Sequence, residues 1–261
     1  MTTRRTYLIT ASSGIGAETA RQLSGPDACF YLVGRDKEKC QRLASTLETL
    51  GSEVAFLAGD LTDPSFAPAV VHACVERFGR LDALFSVAGI SGRAFGDGPI
   101  HECTEQGWQT TLETNATTQY RMCRETVRVM LQQEPGSNGQ RGVILNMSSI
   151  LAIDPDAQHF ATVAYAASKG AIIAMSRTMA ASYAGQRIRV NVIAPGLVRT
   201  PMSARASADP VITKYMQFRQ PLVEDVIPVE DVAASCVYLL TDASHSTTGQ
   251  VIQVDGGWGI A

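Results

Sequence analysis

Short apolar runs closed by glycine-containing turns alternate along this chain with stretches of helix length, and that alternation constrains the fold more than any other feature. The runs are Tyr7 to Thr10, Cys29 to Val33, Val54 to Ala58, Ala83 to Val87, Val143 to Met147, Arg189 to Ile193 and Val251 to Val254. Between them lie helix-compatible stretches: Ala17 to Leu23, Asp36 to Leu50 with Leu43, Leu47 and Leu50 at helical spacing, and a segment from Pro64 to Phe78. Trp108 to Gln133 reads as one long helix, Val163 to Tyr183 as another and Pro228 to Leu240 as the last. Strands alternating with helices throughout predict an α/β fold: a doubly wound, Rossmann-type, mainly parallel sheet of about seven strands with helices on both faces. With 261 residues, 45% of them hydrophobic, the chain is expected to form a single domain over 1–261. Thr200 to Asp225, with Pro201, Pro210 and Pro221 beside Met202, Tyr215, Met216 and Phe218, reads as a mobile substrate-covering segment.

Charge and cysteine usage narrow the function. A net charge of -3 leaves no basic footprint, so nucleic acid is not an expected partner. The six cysteines at 29, 40, 74, 103, 123 and 236 form no Cys-x-x-Cys pair and no disulfide or metal framework; they are expected to be buried, reduced thiols, with no metal bound. The apolar run Tyr7 to Ile9 is too short for a signal-peptide core or a membrane span, which predicts a soluble, cytoplasmic protein.

Two stretches carry chemistry. After the first strand, Ala11-Ser12-Ser13-Gly14-Ile15-Gly16 leads straight into a helix, an arrangement whose backbone N–H groups and helix dipole hold a pyrophosphate. Further on, Tyr165 and Lys169 are four residues apart on a predicted helix and share one face. A cation beside a phenol favours the phenolate and brings it toward the range where it exchanges protons at neutral pH. Tyr-x-x-x-Lys alone is common by chance, so its surroundings matter. The loop Ile90 to Glu105 and the pair Ser148, Ser149 both fall at the carboxyl edge of the predicted sheet, where open α/β folds bind ligands.

Together these residues resemble the short-chain dehydrogenase/reductase family, over essentially the whole chain. The matching pieces are Ser12 to Gly16, Gly59-Asp60, Ala88-Gly89, Asn115, Asn146 to Ser149, Tyr165 to Lys169, Pro195-Gly196 and Asp255-Gly256-Gly257. The resemblance implies a ketone or secondary alcohol as substrate, with Tyr165 as general acid/base and Lys169 lowering its pKa while binding the nicotinamide ribose. It places Ser149 on the substrate oxygen and Asn115 in a proton relay. It implies a dinucleotide held by Thr10, Ser12, Ser13, Gly14, Ile15, Gly16, Arg35, Asp60, Leu61, Ala88, Gly89, Tyr165, Lys169, Pro195, Gly196, Val198 and Thr200, and a homo-oligomer, most simply a tetramer.

The chain departs from the family at three places. Thr10 stands where the glycine-rich turn normally opens with glycine, so the first bend is expected either to be made differently or to sit in ordinary backbone space. Ser86-Val87 replaces two asparagines, and Asp154 to Phe160 lengthens the gap between Ser149 and Tyr165. Gly34 occupies the site at the end of the second strand where an acidic residue would bind the adenosine ribose of NAD, and Arg35 follows with a fork suited to a phosphate. NADP(H) is therefore the favoured cofactor and NAD(H) the alternative. A halohydrin-dehalogenase-like lyase and a catalytically silent binding member are the competing functions.

Overall fold

A computed structural model describes residues 4–261. Seven strands form one parallel sheet: β1 Arg5–Ile9, β2 Ala28–Gly34, β3 Glu53–Ala58, β4 Ala83–Ser86, β5 Gly142–Met147, β6 Ile188–Pro195 and β7 Val251–Val254. Their order is β3-β2-β1-β4-β5-β6-β7. The chain winds outward from β1 to β3 and then returns to lay β4 beside β1, which opens a crevice at the carboxyl ends of those two strands.

Strand alternation divides the core into two layers. Ile9, Phe30, Leu32, Phe85 and Leu145 point to one face, where Ala17 and Ala20 of α1 (Gly14–Leu23), Leu43 and Leu47 of α2 (Lys37–Thr49) and Val232 and Cys236 of α9 (Val229–Leu240) cover them. Leu8, Tyr31, Leu84, Ile144 and Val190 point to the other. There they meet Val70 and Cys74 of α3 (Phe66–Phe78), Met122 and Met130 of α5 (Thr118–Gln132) and Ala180 of α6 (Val163–Tyr183). A polar residue in a central strand loses water on both sides, so the strands are mostly apolar and the exceptions, Asn146, Arg189 and Asn191, are hydrogen-bonded.

The expected helix from Trp108 to Gln133 is two helices. α4 spans Glu105–Leu112, its start capped by the Thr104 side chain accepting from the Gly107 N–H, and α5 begins only at Thr118. Between them Glu113–Thr117 forms a π turn. One extra residue per turn leaves the apolar spacing nearly helical, which is why periodicity does not reveal it. The turn directs Asn115 inward, where its Oδ1 accepts the Ile90 N–H at 2.8 Å and its Nδ2 donates to the Ile90 carbonyl and the Ser168 hydroxyl.

The stretch from 200 to 225 also has regular structure, α7 (Ala204–Ser207) and α8 (Pro210–Arg219), the latter started by Pro210 and capped by Asp209. The lengthened 154–160 segment is tied to α8. Tyr215 donates to Asp156 at 2.5 Å and Arg219 pairs with Asp154 at 2.9 Å, while the Trp258 indole N–H donates to the Asp154 carbonyl.

No disulfide links the six cysteines, and five are buried as expected; Cys103 is half-exposed. Burial pushes the thiols of Cys74, Cys123 and Cys236 up to about 12, so they stay protonated and inert. No helix among the described residues is long and apolar enough to cross a membrane.

Thr10 makes the first bend without positive φ, a conformation confined among described non-glycine residues to Arg187 and Glu224. Its buried hydroxyl oxygen accepts the N–H groups of Val87 and Ala88, at 2.9 and 3.2 Å, and so joins the end of β1 to the chain leaving β4. Thr10→Val keeps the shape and leaves those donors unpaired. The expected cost is about 1–3 kcal/mol of stability in urea unfolding; an unchanged midpoint would mean that the bonds carry no net stability.

Candidate functional site

The turn from β1 into α1 is built for an anion. Ser13 at its cap is extended and makes no side-chain capping bond, Gly14 is at φ +59°, and the first turn holds no acidic residue. The leading N–H groups of α1 therefore have no side-chain cap and carry the positive end of the helix dipole. A Cβ on Gly16 would lie 2.6 Å from Ala11 Cβ and 2.9 Å from Val87 Cγ1, so only glycine lets the turn pack this close to β4.

From this turn a cleft of about 1090 Å³ runs across the carboxyl edge of the sheet, from Arg35 and Asp60 at one end to Ser149, Tyr165 and Phe160 at the other. The expected dinucleotide residues Thr10, Ser12, Ser13, Gly14, Ile15, Arg35, Asp60, Leu61, Ala88, Gly89, Tyr165, Lys169, Pro195, Gly196, Val198 and Thr200 all line it. Gly16 does not; it is buried beneath the turn. Asn115 does not line the cleft either. It is wholly buried and its amide is occupied by Ile90 and Ser168, so it reaches the site only through them.

At the Arg35 end the local packing explains the residue types. A Cβ on Gly34 would sit 2.9 Å from Ser12 Oγ and 3.0 Å from the Cys40 sulfur, which leaves no room for an acidic side chain. Asp36 is spent at the start of α2, where it accepts the Lys39 N–H and pairs with the Lys39 ammonium; Glu38 pairs with Arg42. Arg35 is exposed, lines the cleft and has no ion pair among the described residues.

At the far end α6 sets the geometry. Its own cap residue, Thr162, makes no side-chain capping bond. The buried Asp97 does so instead: Oδ1 accepts the Ala164 N–H and Oδ2 the Tyr165 N–H, both at 2.9 Å. Gly92, at φ +79°, is needed beside it, because a Cβ there would lie 2.8 Å from Oδ2. Ser148 turns away, donating to the Lys169 carbonyl at 2.9 Å. Ser149 instead shares a hydrogen bond with the Tyr165 hydroxyl, and its oxygen also accepts the Leu151 N–H. Of the two serines, Ser149 is thus the one whose hydroxyl faces Tyr165.

Electrostatics at the pair run differently from the expectation. Burial raises the Tyr165 phenol above its ordinary value, and the Ser149 bond offsets this only in part. The buried Lys169 ammonium lies 5.6 Å from the Tyr165 ring centroid and donates to the Met147 carbonyl at 3.0 Å. Burial pushes it down to about 7. Tyr165 therefore stands as a protonated donor beside a lysine that gains or loses its proton near neutrality, and the hydroxyls of Tyr165 and Ser149 together can grip one oxygen and exchange a proton with it.

Asp97, Arg93 and Arg205 are site residues that the sequence reading did not single out. Asp97 lies in a glycine-rich loop with no spacing relation to Tyr165, and the two arginines look like ordinary loop charges.

Comparison with known proteins gives a consistent picture. A family model described as enoyl-(acyl carrier protein) reductase matches residues 9–259. The cis-4-hydroxycyclohexanecarboxylate dehydrogenase of Sinomonas cyclohexanicum is 33% identical over 248 residues, covering 95% of this chain and 93% of that one. The structure of a short-chain type dehydrogenase/reductase from Mycobacterium ulcerans superposes with a TM-score of 0.89 at 30% identity, covering 99% of this chain and 90% of that one. A substituted actinorhodin polyketide ketoreductase with NADPH gives 0.87 at 26% identity, covering 100% and 99%.

The buried lysine makes a stability prediction. Its pKa falls from 10.5 unfolded to about 7 folded, so between those values the unfolded chain holds the extra proton and folding stability gains as pH rises. Below about pH 7 the penalty is constant and fully present. Lys169→Met should therefore be most stabilising at pH 6, and its advantage over the natural protein should shrink steadily toward pH 10, by denaturant unfolding. A pH-independent difference would mean that Lys169 titrates normally in the fold.

Proposed function

The chain belongs to the short-chain dehydrogenase/reductase family and is an NAD(P)-dependent oxidoreductase; from that premise we propose that it is NADP(H)-dependent and interconverts a ketone and a secondary alcohol. The observation that carries this reading is one continuous cleft with an uncapped helix start and an unpaired arginine at one end and the Ser149–Tyr165 hydroxyl pair at the other. Its volume of about 1090 Å³ supports a dinucleotide over the small halide site of a dehalogenase-like lyase.

The cradle fits the cofactor. The α1 N–H groups would hold its pyrophosphate, Lys169 its ribose and Arg35 the 2'-phosphate. When bound, the nicotinamide supplies the hydride that no side chain can. The protein's part is the proton. Ser149 and Tyr165 orient the substrate oxygen, and Tyr165 donates to it as negative charge develops there during reduction. Lys169, poised near 7, stabilises the phenolate left behind and helps return the proton. A phenol raised by burial rests in its protonated form, the form that carbonyl reduction consumes. Asn115 acts by fixing Ile90 and Ser168 beside this pair. The segment 200–225 covers the substrate, and the whole chain works as one cytoplasmic domain. Exposed Trp108, Tyr120 and Leu131 on α4 and α5 support a homotetramer, which light scattering checks; a monomer at micromolar concentration would refute it.

Tyr165→Phe should nearly abolish turnover and keep NADPH affinity, because only the proton-transfer hydroxyl is lost. Retention of most of kcat would sink the assignment. Arg35→Ala should weaken NADPH by about 1–3 kcal/mol and leave NADH nearly unchanged in fluorescence titrations. Equal losses for both would disprove phosphate recognition by Arg35.

A further inference from the structure

Beyond the hydroxyl pair the substrate arm of the cleft has an apolar wall and a charged edge. Leu151, Phe160 and Trp258 supply the wall. The edge consists of Arg93, on the short turn Arg93–Phe95 after β4, and Arg205, on α7 of the covering segment. Both are exposed on the cleft side of the protein, and neither forms an ion pair among the described residues. Asp97, the acid that acts on Arg93, is already committed to the start of α6, and Asp209, four residues after Arg205, to the start of α8. Arg93 is held in place by donating to the His159 carbonyl at 2.8 Å, which leaves the rest of its fork free. Desolvation, and then the like charge of Arg205, push Arg93 below the ordinary arginine value, against the pull of Asp97. Two guanidinium groups with no ion-pair partner repel each other, and an anion between them relieves that repulsion.

We propose that the substrate carries an anionic oxygen group, carboxylate or phosphate, gripped between Arg93 and Arg205 while its apolar body lies along the wall and its ketone or alcohol reaches Ser149 and Tyr165. This rests on the reaction assigned above and names its substrate class. The covering segment then does more than shield the site. Arg205 sits on α7, so the anion links the covering segment to the loop after β4.

The test uses methyl-ketone carboxylates of increasing chain length, the matching phosphonates and the neutral methyl esters. Each is titrated calorimetrically into the enzyme, alone and saturated with NADP+, where no hydride is available and binding is read without turnover. The expected result is that one anionic series binds at least about tenfold tighter than its esters, the step for charged hydrogen bonds. The tighter of the two series identifies the anion. Arg93→Gln and Arg205→Gln should each erode that advantage, Arg205→Lys should restore part of it, and Arg35→Ala should leave it in place. Esters binding as tightly as anions, or an advantage that follows Arg35 instead, would overturn the proposal. Turnover separates it from the reaction: anions that bind as expected but are never reduced with NADPH would sink the reaction and keep the anion site. NADPH-dependent reduction with no preference for charge would do the reverse.

Discussion

A lysine ammonium held in the interior by one carbonyl is expensive to maintain, and the active end of this fold is arranged around that cost. Lys169 has lost its water, has the Met147 carbonyl as its only hydrogen-bond partner among the described residues and is pushed to about 7. What keeps it there is a rail of polar contacts between β5 and α6. Ser148 donates to the Lys169 carbonyl, Asn146 donates to Ser176, and Gln119 donates from α5 to the same Met147 carbonyl. Every one of these groups would be costly to bury alone; paired, they fix the depth and rotation of the helix against the sheet. Tyr165, one turn earlier, is then placed by Asp97 and met by Ser149.

The same end of the molecule shows how irregular backbone supports regular structure. The π turn at Glu113–Thr117 brings Asn115 to Ile90 and Ser168, stitching the loop after β4 to α6. Thr10 stitches the start of that loop to β1. Where the family pattern has asparagines before Ala88, this chain has Ser86 and Val87, and the Val87 methyl packs against the glycine turn. The crevice floor is thus held by one threonine hydroxyl and close van der Waals contact.

Much of this is legible from residues alone. The seven apolar runs are the seven strands because a parallel strand covered on both faces admits a polar residue only where a partner is waiting, as for Asn146 and Asn191, and α6 falls at Val163–Tyr183 as expected. Gly14 and Gly16 announce a tight turn because only glycine permits that approach. The break in the long helix from Trp108 is hidden, since a π turn shifts the helical spacing by a single residue, and the order within 200–225 is hidden because three prolines mask two short helices. The direction of the Tyr165 shift also runs against the sequence expectation. Spacing predicts that a lysine is near, but not that both groups are desolvated.

Sequence by itself therefore determined the layered α/β fold and the place of the tight glycine turn between β1 and α1, because periodicity and glycine placement are local and steric. Only the tertiary structure decided which serine faces the tyrosine, that Asp97 caps the tyrosine's helix from 68 positions away, and that the Asn115 amide is taken up by the Ile90 backbone and the Ser168 hydroxyl. It also decided that Arg93 and Arg205, 112 residues apart in the chain by their numbering, line one cleft. Those facts depend on burial and on contacts between distant segments, and desolvation, which sets both the pKa values and the strength of each ion pair, exists only once the chain has closed around them.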